Sequence, residues 1–242
     1  MQPSLNVCTR RHNIVKHLPG VIGLAKEVID FWNLFFTDEI IQNIVGYTNI
    51  YIEKISSHYQ DPSDCRSTSV HEIGARIGLL YAMGFLHGGR MNIYDFWSTD
   101  GLGTECFPVT MALRCFRFLL KCIRFDVMSR QQRRENDKLA AIRDLLDAFN
   151  ENCKKNYCVG EFVTLDEMLL SFRGRCSFRM YILSKPCKYG IKVFALVDAK
   201  IYYACNLEIY CGKQSEGQYE DVSFKPENVP SYIWKWTEFN HR

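Results

Sequence analysis

The feature that most restricts the fold is a change in the period of apolar residues near position 161. Upstream, from Glu27 to Asn156, apolar side chains recur at three- and four-residue spacings, as in amphipathic helices. Downstream, residues 162–170, 191–198 and 201–210 are rich in Val, Ile, Tyr and Phe and read as strands. The order of the two patterns predicts an α+β fold, with a helical N-terminal half followed by three strands in antiparallel meander order.

Within the helical half, Thr37-Asp38-Glu39 reads as a helix start with acids in its first turn, and Ile40, Ile41, Ile44, Val45, Thr48 and Ile52 follow on one broad face. Ser69 opens a second helix, with Glu72 placed for a capping box. That helix contains Gly74 and Gly78, four residues apart, each costing about 1 kcal/mol against Ala; close packing against another helix is the expected compensation. Asp95 and Asp100 lie in a turn-rich connector, where capping or turn duty is commoner for Asp than metal ligation. A further amphipathic helix is expected over 136–156. Residues 1–25 are punctuated by Pro3, Pro19, Gly20 and Gly23, and their basic group (Arg10, Arg11, His12, Lys16, His17) reads as a solvated terminus.

The charge is nearly balanced at +3 over 242 residues, so any preference for nucleic acid must come from local clustering. The eleven cysteines form no C-x-x-C pair and match no zinc spacing, which predicts scattered reduced thiols and no zinc site. The most apolar run, Ile77 to Leu86, is too short to span a bilayer. A soluble, intracellular chain is expected.

Two basic clusters stand out. In residues 109–125, Arg114, Arg117, Lys121 and Arg124 recur at spacings of three, four and three and form one stripe of a helix. Phe116, Leu119, Leu120 and Ile123 would face the core. The stripe suits either a solvated face or a DNA-facing one. The second cluster is richer. After the carboxylate pair Asp166 and Glu167, the residues from Ser171 to Lys192 hold Arg173, Arg175, Arg179, Lys185, Lys188 and Lys192, no acid, and the aromatics Phe172, Phe178, Tyr181 and Tyr189. Such cations neutralise backbone phosphates, and a strand-end carboxylate can hold a hard cation. Glu167 is expected on the strand face opposite Asp166.

The run TLDEMLLSFRGRCSFRMYILSKPCKYGIKVFALVDAK (164–200) closely resembles the catalytic-domain opening of piggyBac-type transposases. The likeness extends through FRFLLKCIRFD (116–126), REND (134–137) and NLEIYCGKQSEGQY (206–219). It implies a ribonuclease-H-like, cut-and-paste DNA transposase in which Asp166 is the first catalytic aspartate and a ligand of Mg²⁺. It also implies a nuclear location and duplex DNA as partner, with a homo-oligomer or a full-length transposase as a further partner. The DNA contacts would come from Arg173, Arg175, Arg179, Lys185, Lys188 and Lys192, and from Arg117, Lys121 and Arg124.

The family's second aspartate, in a D-N-W-F-like segment, has no counterpart, and Trp234 and Trp236 sit in another context. The expected organisation is an irregular arm (1–26), a helical dimerisation or DNA-binding region (27–160), a partial ribonuclease-H-like domain (161–214) and a divergent tail (215–242). Two-metal phosphodiester chemistry needs more than one carboxylate. Asp166 then reads as vestigial, Mg²⁺ as not productively bound, and the chain as a DNA-binding protein derived from a transposase. The alternatives are an active or partner-complemented transposase and a decayed element. Strand 162–170 should lie at a sheet edge and favour self-association.

Overall fold

A computed structural model describes residues 20–21, 25–60, 65–86, 91–99, 103–126, 130–160 and 162–212, without the side chains of 130–132. The basic group at 10–17, Asp100 and the tail 215–242 lie outside these residues. The helices are α1 (Val28–Phe35), α2 (Asp38–Ile55), α3 (Val70–Phe85), α4 (Ile93–Phe96), α5 (Cys106–Thr110), α6 (Leu113–Cys122), α7 (Arg130–Asn136) and α8 (Arg143–Asn156). The strands are β1 (Gly20–Val21), β2 (Tyr157–Cys158), β3 (Val163–Ser171), β4 (Met180–Tyr181), β5 (Tyr189–Asp198) and β6 (Ala204–Ile209). The α+β expectation holds. No helix among the described residues is long and apolar enough to cross a membrane. The ten cysteines described are all free thiols.

The chain divides into two compact units. One comprises residues 36–132 and 140–145. Here α2 buries Ile40, Ile41, Ile44, Thr48 and Ile52. A second core gathers Leu79, Phe96, Phe107, Met111, Phe116 and Leu119. Its aromatics pack closely: Phe96 lies 4.8 Å from Phe107, and Trp97 lies 4.9 Å from Phe116. The Trp97 indole N–H donates to the Met111 carbonyl at 2.7 Å, so a large ring is buried without orphaning its donor. Thr68 and Asn49 pair reciprocally, side-chain amide to backbone, at 2.8 and 3.0 Å.

Several local expectations need correction. The Ser69 side chain caps the Glu72 amide at 3.3 Å, but Glu72 turns to Arg66 and Thr68 instead of closing a box. The full capping box occurs at α4, where Asn92 and Asp95 satisfy each other, as the capping reading of Asp95 anticipates. A Cβ added at Gly74 or Gly78 would meet nothing within 4 Å, so close helix packing is not what these glycines serve. The basic segment 109–125 is two helices, α5 and α6, separated at 111–112. Leu120, expected in the core, is exposed. The helix expected over 136–156 is broken: the Asp137 side chain accepts the Leu139 amide at 2.9 Å, and helical pairing resumes at Arg143.

One buried group was not foreseen. Arg76, on α3, is fully buried. One of its terminal nitrogens donates to the Phe116 carbonyl at 3.0 Å, and the guanidinium lies 4.8 Å from the Phe116 ring centroid. Its Nε and Nη2 have no hydrogen-bond partner among the described residues. Burial lowers its pKa to about 10.

The other unit contains residues 1–35, 133–139 and 146–242. The expected cut at 160 does not describe it, because α1 and most of α8 go with the sheet. Asparagines of α8 explain why. Asn152 and Asn156 donate to the Phe35 and Leu34 carbonyls at 2.9 and 3.0 Å, satisfying the end of α1. Asn150 bonds both the amide and the carbonyl of Leu207 at 2.9 Å, standing in for a neighbouring strand on β6. Phe35 packs against Phe149 and Tyr203.

In the main sheet β5 is central. β3 pairs along one side of it, and β4 and β6 share the other, all antiparallel. The long strands follow the expected meander. Two short pieces were unforeseen: β4, and the β1–β2 pair that ties Gly20–Val21 to Tyr157–Cys158. Gly190 sits where β3 and β4 both meet β5. A Cβ there would lie 2.3 Å from the Leu170 carbonyl oxygen, so only glycine fits.

Candidate nucleic-acid interface

Asp166 lies mid-way along β3, opposite Ala195 on β5, which in turn faces Leu207 on β6. Its neighbour Glu167 belongs to the other row, with Phe194 and Glu208. The two carboxylates therefore occupy opposite faces of the sheet, as alternation requires. Asp166 is exposed, and its Oδ1 accepts the Glu167 amide at 2.8 Å. Glu167 is committed elsewhere: its Oε2 lies 2.8 Å from the Lys192 ammonium. Among the described residues, no three His, Cys, Asp or Glu side chains come together as metal ligands. This donor set does not fit a two-metal site.

Asp198 is a turn holder. It is buried and accepts the Gly160 amide at 2.9 Å, the Tyr157 hydroxyl at 3.1 Å, and the Lys200 and Ile201 amides at 2.9 and 3.3 Å. Burial pushes its pKa up, but the Gly160 and Lys200 amides and the Tyr157 hydroxyl outweigh that and hold it below 3.8. Tyr202, in the same turn, adopts the left-handed conformation at φ 60°.

The structure sorts the nine candidate cations into three groups. Arg173, Arg175 and Lys188 are exposed on the 172–188 connection, and their charged side chains have no hydrogen-bond or ion-pair partner among the described residues. Arg179, Lys185, Lys192 and Arg124 are engaged within the protein. Arg179 donates to the Arg173 and Gly174 carbonyls at 3.1 Å and lies 5.3 Å from the Tyr189 ring centroid, so it folds the loop that presents Arg173 and Arg175. Lys185 donates to the Glu167 carbonyl on the outer edge of β3 at 3.1 Å. Lys192, besides its ion pair, lies over Phe194 and Tyr210 at 4.7 and 5.3 Å. Arg124 donates to the Lys121 and Ile123 carbonyls, closing the end of α6, and stacks 3.5 Å from the Tyr51 centroid.

The third group, Arg117 and Lys121 on α6, is exposed but held by tyrosines. Arg117 donates to the Tyr94 hydroxyl at 2.9 Å, and Lys121 lies 5.9 Å from the Tyr59 centroid. Sequence reading missed these rings. Tyr51, Tyr59 and Tyr94 are distant in the chain from α6, and no local spacing links them to it.

Comparison with known proteins agrees with this fold. A family model described as Transposase IS4 matches residues 28–230. Human PiggyBac transposable element-derived protein 3 is 25% identical over 205 residues, covering 85% of this chain and 33% of that protein. Human PiggyBac transposable element-derived protein 2 is 22% identical over 186 residues, covering 77% and 30%. A solved structure of the piggyBac transposase synaptic complex with hairpin DNA superposes with a TM-score of 0.77 at 32% identity, over 90% of this chain and 46% of that one. The chain thus spans about a third of the length of these human relatives. Its helices and antiparallel sheet are those of a ribonuclease-H-like piggyBac transposase, and the chain belongs to the piggyBac-type transposase family.

Proposed function

We propose that this chain binds duplex DNA through the 172–188 connection, with Arg173, Arg175 and Lys188 meeting backbone phosphates, and that it does not transfer strands by itself. The observation that carries the reading is the exposed, partnerless state of those three cations on a loop that Arg179 fixes internally. The solved relative captured with hairpin DNA supports the choice of ligand. Contacts to phosphate alone make binding strongly salt-dependent and weakly selective for sequence. The isolation of Asp166, with no set of co-ligands assembled around it among the described residues, supports the second half of the reading.

The test is a salt titration of duplex binding. Neutralising Arg173, Arg175 and Lys188 together should lower the slope of log K against log salt by about 2 to 3, at roughly 0.9 per phosphate contact. An unchanged affinity and slope would remove the loop from the DNA surface.

A further inference from the structure

In the unit built from α2 to α6, the exposed side of α6 carries an open groove of about 500 Å³. Tyr59, Leu113, Arg114, Arg117, Phe118 and Lys121 line it. Its chemistry is divided. Leu113 and Phe118 make an apolar floor, and the Tyr59 ring stands edge-on to Phe118, 5.9 Å away at 86°. Arg114, Arg117 and Lys121 lie at helical spacings of three and four, and no acid is among the described residues that line the groove.

We propose that this groove takes one unpaired nucleotide of single-stranded DNA, with the base against Tyr59 and Phe118 and the phosphate beside Arg117 and Lys121. The proposal rests on the duplex-binding reading for its choice of DNA. Three points support it. A groove of cations alone would suit any phosphate, but here an aromatic wall stands inside the concavity. Bases in a duplex are stacked on each other and offer only their edges in the grooves, so a recessed ring face is of use only to an unstacked base. The ring is also held in place before any ligand arrives, by Phe118 on its edge and by Lys121 above it, which lowers the ordering cost of binding. An acidic peptide would use the same cations but would gain little from the rings.

The test measures binding of the full chain to short labelled oligo(dT), to oligo(rU) and to a duplex. Oligo(dT) should bind. Tyr59→Ala should weaken it about tenfold or more, the scale of one base–aromatic stack, while Tyr59→Phe should keep it. Neither change should alter duplex affinity. Arg117→Gln, at an exposed position, should weaken oligo(dT) as well, which keeps the test meaningful if Tyr59→Ala destabilises the fold. Equal oligo(dT) binding by wild type and Tyr59→Ala overturns the proposal. So does duplex binding without oligo(dT) binding, which would leave the loop reading standing. Tighter binding of oligo(rU) overturns the choice of DNA, and polyglutamate competing as well as oligo(dT) overturns the choice of a nucleotide. Failure to bind either DNA form overturns both readings together.

Discussion

The Lys192 ammonium lies 2.8 Å from Glu167 Oε2, one residue along β3 from Asp166 and on the opposite face of the sheet. The pair is half-shielded, and Phe194 and Tyr210 flank the ammonium. This arrangement removes one carboxylate from any metal site and one cation from any phosphate surface. Lys192→Gln is therefore expected to leave the salt slope of duplex binding unchanged. A decrease of about one would put Lys192 on the DNA surface.

Incubation of the chain with nicked or intact duplex and Mg²⁺ or Mn²⁺ should yield no cleavage or strand transfer. The reason is the single, exposed carboxylate of Asp166, without an assembled ligand set among the described residues. Divalent-dependent cleavage that disappears in Asp166→Asn would show that a working site is completed elsewhere.

Among the described residues, β3 pairs only with β5. Phe162 and Phe172 bond towards β5 at the two ends, so the even-numbered residues face it and the odd-numbered ones face outwards. Amide hydrogen exchange in dilute sample should show Thr164, Asp166, Met168 and Leu170 protected and Leu165 and Leu169 fast. Uniform protection along the strand would mean that another segment or another copy pairs with its outer edge.

Asp198→Asn should destabilise the sheet unit by roughly 1–3 kcal/mol, because buried donors at Gly160 and Tyr157 lose a charged acceptor. The sign with pH follows from a pKa held below 3.8. The wild-type carboxylate stabilises fully above that value, and its contribution is lost as pH falls through the folded-state pKa. Thermal melts of both proteins across acid pH should converge at the low end; parallel curves would assign the loss to packing instead.

Thiol reactivity should separate the cysteines. Burial raises the pKa of Cys205 to about 11 and also pushes up Cys122 and Cys153, whereas Cys106 and Cys187 are exposed. Iodoacetamide labelling followed by mass spectrometry should modify Cys106 and Cys187 first, with Cys205 among the last. Cys205 also makes stability fall as pH rises from about 9 towards about 11, since the unfolded thiol ionises first. Early labelling of Cys205 would contradict its placement behind Tyr203.

The α+β class, the meander and the principal element types were legible because each rests on local pattern. The six-residue β6, the long β5 and the Ser69 and Thr37 helix starts are all set by residues within a few positions of each other. Opposite faces for Asp166 and Glu167 follow from strand alternation alone. The cluster of cations between Ser171 and Lys192 was likewise plain in the sequence.

What the tertiary structure decided is which of those charges is available. Arg173, Arg175 and Lys188 differ from Arg179, Lys185 and Lys192 only in what the fold sets beside them: carbonyls of its own folded loop for Arg179, and the Glu167 carbonyl and carboxylate on another strand for Lys185 and Lys192. The same holds for Tyr59 and Tyr94 beside α6, for Arg76 inside the core, and for the Asn150 amide that satisfies β6. Spacing in the chain reports which face of a helix or strand a side chain occupies. Its partner across the fold is fixed by packing and by the need to satisfy buried polar groups, and those depend on residues dozens of positions away.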